Sequence, residues 1–463
     1  MSATKTKRAI ETINPSTGKS LQHYDYMTDQ EIEKAIIKCH KAFRTWREVS
    51  LKDRAEVIKA IGKEMVDSKE ELAQLMTDEM GKTLVQSRQE IDLCAAICQY
   101  TAKVGPNELK TEEREMVNGE KGRVSYAPIG VVYGIQPWNY PSYQVVRYSI
   151  ACLMAGNAVL LKHGSNVTGS GKLLERIYHR ADIPDGLFTT LVLSHDQSDE
   201  VIKNKWVRAV TFTGGPEIGR HIGQLASAEL KKTVLELGSN DAYLVFEDAE
   251  IDKAVKACVK GRIYNNGETC IAAKRFIVTE KVYAEFREKF VKAMSDVKMG
   301  DPNEKSTQLG PLAREDLRKD LHDQVIKSVE KGAKIACGGK IPDGAGFFYP
   351  ATVLENVRPG QPAYEDEFFG PVASLIKAKD NEDAMRIAND SRYGLGGGIF
   401  SKDEDAAFEI AEKHFDTGMV FINTFGLADP AMPFGGVKNS GYGREHGGFG
   451  LKEFVNIKSV MKR

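Results

Sequence analysis

The sequence predicts an α/β protein whose body is two doubly wound, mainly parallel sheets with helices on their faces, and three observations carry that expectation. From about residue 130 short apolar runs alternate with segments of helical periodicity, the signature of strand–helix–strand units. The links between them are short, and right-handed crossovers then place helices on both faces. The chain has 463 residues, 41% apolar and 28% charged, which suits two or three domains with a large core and excludes a disordered polymer.

The elements follow in order. After a short extended lead, Thr28-Asp-Gln-Glu31 forms a capping box, in which hydroxyl and carboxylate reciprocally satisfy the first free amides of a helix. Ile32, Ala35, Ile36, Cys39, Phe43 and Trp46 keep helical spacing behind it. Ser50 caps a helix through Ile58, Ile61 and Met65, and more helix runs through Ile91, Cys94 and Cys98. A strand is expected at 131–135, a helix at 141–155 with Pro141 in its first turn, a strand at 158–161 and a helix at 171–180. Strands at 189–193 and 209–213, a helix at 217–225 and a strand at 234–237 complete the first unit. The second unit has strands at 243–246 and 275–278 and helices at 282–294 and 317–331. The tail, 452–460, reads as a strand with no partner close in sequence.

Charge and cysteine usage narrow the function classes. Lys plus Arg is 64 and Asp plus Glu is 65, a net charge of −1, which argues against a nucleic-acid or polybasic membrane binder. There is no apolar run of membrane-spanning length, and the basic residues 1–8 lack the apolar stretch of a secretory signal. The seven cysteines form no spacing framework, and no H-E-x-x-H or other metal pattern occurs. Free thiols fit a reducing, cytoplasmic setting, and no metal is expected.

Ligands of open parallel sheets bind beyond the carboxyl ends of the strands. Those ends carry Gln136-Pro-Trp-Asn-Tyr-Pro141, Lys162, Gly214 with Gly215, and Glu236. Gly214-Gly-Pro-Glu-Ile-Gly219 joins a strand to a helix, where glycines admit a ligand and the helix start favours phosphate. The stretch from Gly164 to Lys172 is not a P-loop, because Leu173 stands where Ser or Thr is required. Cys270 follows the polar turn Asn265-Asn-Gly-Glu-Thr and reads as a nucleophile or as a small core residue. Glu236, inside an apolar run, reads as a desolvated general base or as the partner of a buried cation. Arg147 is the only charge between Val124 and Leu161. It must be paired or face a water-filled pocket, which leaves a structural partner in the second domain or an anionic substrate.

Taken in order, these motifs resemble the aldehyde dehydrogenase superfamily over nearly the whole chain. Pro137-Trp-Asn-Tyr-Pro141, Phe212-Thr-Gly-Gly-Pro-Glu-Ile-Gly219, Leu235-Glu-Leu-Gly238, Asn266-Gly-Glu-Thr-Cys270, Glu367-Phe-Phe-Gly-Pro371 and Pro433-Phe-Gly-Gly-Val-Lys-Asn-Ser-Gly441 carry the resemblance. Within the superfamily the chain is most similar to bacterial succinate-semialdehyde dehydrogenases. The resemblance implies NAD(P)-dependent oxidation of an aldehyde through a Cys270 thioester, with Glu236 as general base and Asn139 as oxyanion donor. It implies NAD or NADP held by Trp138, Asn139, Lys162, Ser165, Gly214, Gly215, Leu237, Glu367 and Phe369, and a substrate carboxylate held by Arg147. Eight residues beyond Asn139 on a helix is roughly 12 Å at about 1.5 Å per residue, room for a short carboxylated aldehyde.

The resemblance also implies a dinucleotide-binding domain at 1–108 and 128–236, a catalytic domain at 237–445, and a small β oligomerisation element at 109–127 and 446–463. A homodimer or homotetramer then covers the lone tail strand. The chain departs from the family pattern at Glu268 (usually Gln), Ser165 (Glu in many NAD-preferring members), Ser239-Asn240 (Gly-Lys) and Tyr148 (often Lys). Tyr264 replaces a second family Arg, and Asp429 stands where a Ser helps in relatives. The alternatives are a dehydrogenase of an uncharged aldehyde, with Arg147 structural, or a non-enzymatic protein that keeps the fold. Intact Cys270, Glu236 and Asn139 count against the second.

Overall fold

Four helices, Asp29–Trp46, Leu51–Asp67, Lys69–Met80 and Leu84–Glu108, pack on a first sheet in a computed structural model that describes residues 9–462. The reading of residues 1–8 therefore lies outside the described residues. The capping box forms as expected: Thr28 Oγ1 accepts from Glu31 N and Glu31 Oε2 accepts from Thr28 N. The lead is more than extended chain, because Ala9–Asn14 and Lys19–Asp25 form an antiparallel hairpin.

The first sheet has six strands in the order Gly441–Tyr442, Lys232–Glu236, Val207–Thr213, Val131–Gln136, Ala158–His163 and Phe188–Thr190. All pairs are parallel except the short Gly441–Tyr442 strand, which returns from far along the chain. Val131–Gln136 is buried throughout, as a central parallel strand must be. The second sheet orders Lys334–Cys337, Thr352–Glu355, Val372–Ala378, Arg275–Thr279, Ala242–Val245, Gly397–Phe400 and Phe421–Ile422. It too is parallel apart from its first edge strand. The two sheets have separate apolar cores, and the chain passes from one to the other between Leu237 and Ala242. Leu451, Phe454 and Val455 come back to the first core.

Several boundaries differ from the sequence reading, each for a long-range reason. The helix expected from residue 141 is Tyr143–Ala155, because Glu90 Oε1 accepts from Ser142 N and Tyr143 N at 2.8 and 2.9 Å and so caps its start. The helix expected at 171–180 begins at Thr168, where Glu79 accepts from Gly169 N and Ser170 N. Lys162 lies within Ala158–His163 and not past its end. The expected strand 189–193 is Phe188–Thr190, at the edge of the sheet.

The tail is corrected more substantially. Residues Phe449–Glu453 are helical, and the strand is Val455–Met461. It is not alone: it pairs antiparallel with Lys121–Pro128, which also pairs with Glu112–Glu115. Sequence neighbours could not reveal this pairing, which joins segments more than 300 residues apart. Val455–Met461 remains an edge, paired on one side only. Among the described residues no helix is long and apolar enough to cross a membrane, and no cluster of His, Cys, Asp and Glu could hold a metal ion.

Candidate active site

Strand register brings the predicted residues to one edge of the first sheet. Ile135 pairs with Lys162 on one side and Phe212 on the other, and Thr213 pairs with Glu236. The chain beyond Gln136, the Gly214–Gly215 turn and Glu236 thus share the carboxyl edge facing the second sheet. Gly134 in the central strand is a steric necessity, since a Cβ there would lie 2.2 Å from the Tyr148 ring. Tyr148 is buried beneath the sheet, and its hydroxyl donates to Leu160 O at 3.3 Å, so it faces the core and not the catalytic edge.

Two loops are stitched together at this edge. The turn before Cys270 holds Asn265, Asn266 and Gly267 in the left-handed region at φ of 54°, 57° and 75°. Asn tolerates that region, and Gly267 has no alternative, because a Cβ would meet the Gly370 carbonyl carbon at 2.4 Å. Asn265 Nδ2 donates to Asn139 O at 2.9 Å and to Glu268 O at 3.0 Å. Asn139 Nδ2 donates to the same Glu268 O at 3.0 Å, and the Tyr140 and Thr269 hydroxyls lie 3.0 Å apart. Asn139 is buried; its Nδ2 carries a second N–H besides the one donated to Glu268 O, and its Oδ1 has no hydrogen-bond partner. The Glu268 side chain is buried beneath the turn, where Oε1 accepts from Ala313 N at 2.9 Å. Burial pushes its carboxyl well above the usual range, opposed by Ala313 N–H and the Lys82 ammonium. A neutral Glu268 is a near-isostere of the Gln usual in the family pattern.

Cys270 is partly exposed and packs beside Ile271, Leu395 and Phe434. Burial pushes its thiol up to about 12, opposed first by the positive charge of Arg147 and then by that of Lys274. The other cysteines are unbonded too, and all but Cys337 are fully buried. Glu236 is buried with neither carboxyl oxygen hydrogen-bonded. Burial and the neighbouring Glu445 carboxylate raise its pKa far above the usual range, against the pull of Arg147 and Arg444. Gly435 lies against it, since a Cβ there would be 2.7 Å from Glu236 Oε1. A carboxyl in this setting holds a proton tightly and accepts one only once ionised.

Arg147 departs from the expectation of an open anion-binding group. Its side chain is wholly buried, with Nε 2.5 Å from Glu445 Oε2 and Nη2 donating to Thr213 Oγ1 at 3.0 Å. Its guanidinium also lies over the Tyr143 and Phe434 rings at 5.2 and 4.6 Å. The structural partner that the sequence left open is therefore Glu445. Sequence reasoning missed it because Gly-Arg-Glu-His carries no spacing signal relative to Arg147; the need for a counter-charge was the only clue. Tyr264 and Asp429 engage nearby groups: the Tyr264 hydroxyl donates to Gln89 Oε1, and Asp429 Oδ1 accepts from Ala431 N.

The predicted cofactor residues fall into two clusters. A cavity of 190 Å³ at the ends of Ala158–His163 and Phe188–Thr190 is lined by Lys162, Ser165, Thr168 and His195, with Tyr26 and Val192 among its other walls. No carboxylate lines it, so it fits an anionic or hydroxyl-rich group. Gly215 stands at the start of helix Pro216–Ala228 with open space beside it and no side chain capping the helix, which suits a phosphate. The second cluster holds Glu367, which is ion-paired to Lys274 at 3.3 Å, and Phe369, which meets Trp138 edge-on at 5.7 Å between ring centres. Leu237 is buried against Gly219. The donors present fit the phosphate and hydroxyl groups of a dinucleotide.

Comparison with known proteins identifies the family. The profile of the aldehyde dehydrogenase family matches residues 2–460. The chain is 44% identical over 462 residues to the NAD(P)+ succinate semialdehyde dehydrogenase of Escherichia coli, covering 100% of this chain and 99% of that one. It is 41% identical to the NADP+ succinate-semialdehyde dehydrogenase of Deinococcus radiodurans, covering 98% and 95%. The crystal structure of succinic semialdehyde dehydrogenase from Streptococcus pyogenes with NADP+ superposes with a TM-score of 0.96 at 35% identity, covering 98% and 100%.

Proposed function

The chain belongs to the aldehyde dehydrogenase family, and from that premise we propose that it oxidises succinate semialdehyde to succinate with NAD or NADP. The observation that supports the chemistry is that the Asn139 segment and the turn before Cys270 are hydrogen-bonded together at the sheet edge where strand Lys232–Glu236 ends. The substrate follows from the relatives, several of which are named for succinate semialdehyde. Cys270, as thiolate, attacks the aldehyde carbon to give a tetrahedral thiohemiacetal. The free N–H of Asn139 and the Cys270 backbone N–H stabilise its oxyanion. Lys162, Ser165, Gly214, Gly215, Glu367 and Phe369 would hold the dinucleotide, which would supply the hydride acceptor; loss of hydride from the thiohemiacetal carbon leaves a Cys270 thioester. Glu236 then takes the proton of the water that hydrolyses the thioester, and the acid leaves. Stoichiometric NAD(P)H formation with succinate semialdehyde, and much weaker formation with butanal, tests the proposal.

The Glu445–Arg147 ion pair favours a second reading, in which the aldehyde is uncharged and Arg147 supports the fold. In the succinate-semialdehyde reading the substrate carboxylate displaces that of Glu445. Glu445→Gln should then lower KM for succinate semialdehyde and leave KM for butanal nearly unchanged. Arg147→Ala should lower kcat/KM for succinate semialdehyde by about 2 kcal/mol, roughly 30-fold. It should also lower stability by about 3 kcal/mol, because Glu445 is left buried without its cation. Equal kinetic losses on both aldehydes would establish the uncharged reading.

Ser165 opens the cavity beside Lys162, and a hydroxyl there repels neither a ribose 2′-hydroxyl nor a 2′-phosphate, so both dinucleotides are used. Ser165→Glu should depress kcat/KM for NADP far more than for NAD, through like-charge repulsion. An unchanged NADP/NAD ratio would place the adenosine ribose elsewhere.

The edge strand Val455–Met461 exposes Ile457, Val460 and Met461, and pairing or packing with a second copy would cover them. A homodimer or homotetramer is the expected assembly, and light scattering at micromolar concentration should report a multiple of the monomer mass.

A further inference from the structure

Lys274 is a buried ammonium just before strand Arg275–Thr279, with a side chain 1% exposed. Nothing in the reaction outlined above uses it. Its Nζ donates to Cys270 O at 2.5 Å, Ser239 Oγ at 2.9 Å and Thr269 O at 3.3 Å, and it is ion-paired with Glu367 Oε1 at 3.3 Å. Ser239 also donates to Cys270 O. The two carbonyls belong to the peptide units on either side of the Cys270 Cα. In a planar trans peptide the C=O and N–H point in opposite directions. Holding Thr269 O therefore aims the Cys270 N–H, and holding Cys270 O fixes the following plane. The same nitrogen holds Glu367, whose Oε2 lies 2.7 Å from where a Gly238 Cβ would be. The ammonium thus donates to acceptors of the nucleophile loop, Ala272 O at 3.5 Å among them, and of the Ser239 turn, and pairs its charge with the Glu367 loop.

We propose that Lys274 is a positioning residue for the reaction: one buried charge locks both peptide planes at Cys270 and the Glu367 carboxylate into a single unit. This rests on the reading of Cys270 as nucleophile and Glu367 as cofactor contact. It goes beyond that reading by naming the group that couples them. The charge acts in the same sense as the geometry, because it favours thiolate at Cys270 and carboxylate at Glu367. Ser239, one of the departures from the family pattern, serves here as an acceptor for that ammonium.

The test measures the second-order rate of iodoacetamide alkylation at Cys270, located by mass spectrometry, in the full-length enzyme without cofactor. Lys274→Met should slow it about tenfold at a fixed pH near 8, the effect of raising a thiol pKa by about one unit. A merely structural loosening would expose the thiol and speed alkylation, the opposite sign. NAD(P)H fluorescence titration should show weaker binding by about tenfold, because Glu367 has lost its anchor. In turnover kcat should fall more than the aldehyde KM changes. Unchanged alkylation and unchanged NAD(P)H binding in a folded Lys274→Met enzyme would overturn the proposal. If that variant does not fold, Lys274→Arg decides: it keeps the charge but cannot bring one donor atom among the same acceptors. Near-normal alkylation with lowered kcat supports the proposal, and unchanged kcat refutes it. Alkylation of wild type that spares Cys270 refutes the nucleophile assignment itself.

Discussion

Cys270→Ala should abolish NAD(P)H formation from any aldehyde, a loss on the order of 10⁶-fold, the scale seen when a covalent nucleophile is removed. The remaining six cysteines cannot substitute. Five are fully buried, and Cys337 sits in the edge strand Lys334–Cys337 of the second sheet, away from the strand ends that carry Asn139 and Glu236. The variant should fold, because Ala fits the space of a small, partly exposed side chain, and dinucleotide binding measured by fluorescence should persist. Sustained turnover in Cys270→Ala would rule out thioester chemistry.

Glu236→Gln should separate the two halves of the reaction. Acylation needs thiolate and oxyanion donors, so one equivalent of NAD(P)H per active site should appear in a burst. Hydrolysis of the thioester then lacks its base, and steady-state kcat should fall by about 10³-fold. The pH profile supplies the sign. Burial and Glu445 hold the Glu236 carboxyl protonated to unusually high pH, and only the ionised form accepts a proton. Hydrolysis in the wild type should therefore speed up as pH rises from neutral into the alkaline range. In Glu236→Gln that dependence should disappear. Rapid-quench measurement of the acyl-enzyme decides the matter: no burst would mean that Glu236 also activates the thiol.

Much of the candidate site was legible because it is local. The capping box at Thr28, the glycine turn at 214–215, the Asn-Asn-Gly turn before Cys270 and the apolar run around Glu236 are short patterns whose geometry depends on adjacent residues. The parallel strands were legible for the same reason, since an apolar run between helices has few other places to go. Helix starts were less so. Tyr143–Ala155 and Thr168–Arg180 begin where Glu90 and Glu79 supply caps from other helices. The local pattern left the tail strand unpaired because its partner, Lys121–Pro128, is remote in sequence, and only the family resemblance grouped the two segments.

The amino-acid sequence by itself determined the α/β class, the family, the candidates Asn139, Glu236 and Cys270, and the presence of one charge at Arg147 that had to be answered. These properties reside in residue type, order and short-range periodicity. Only the tertiary structure decided what answers that charge and what surrounds the nucleophile. Glu445 meets Arg147 across about 300 residues, Lys274 gathers Cys270, Ser239 and Glu367 around one nitrogen, and Tyr148 turns into the core through the space left by Gly134. A charge can be recognised as costly from its apolar neighbours in sequence, but its partner is chosen by three-dimensional proximity.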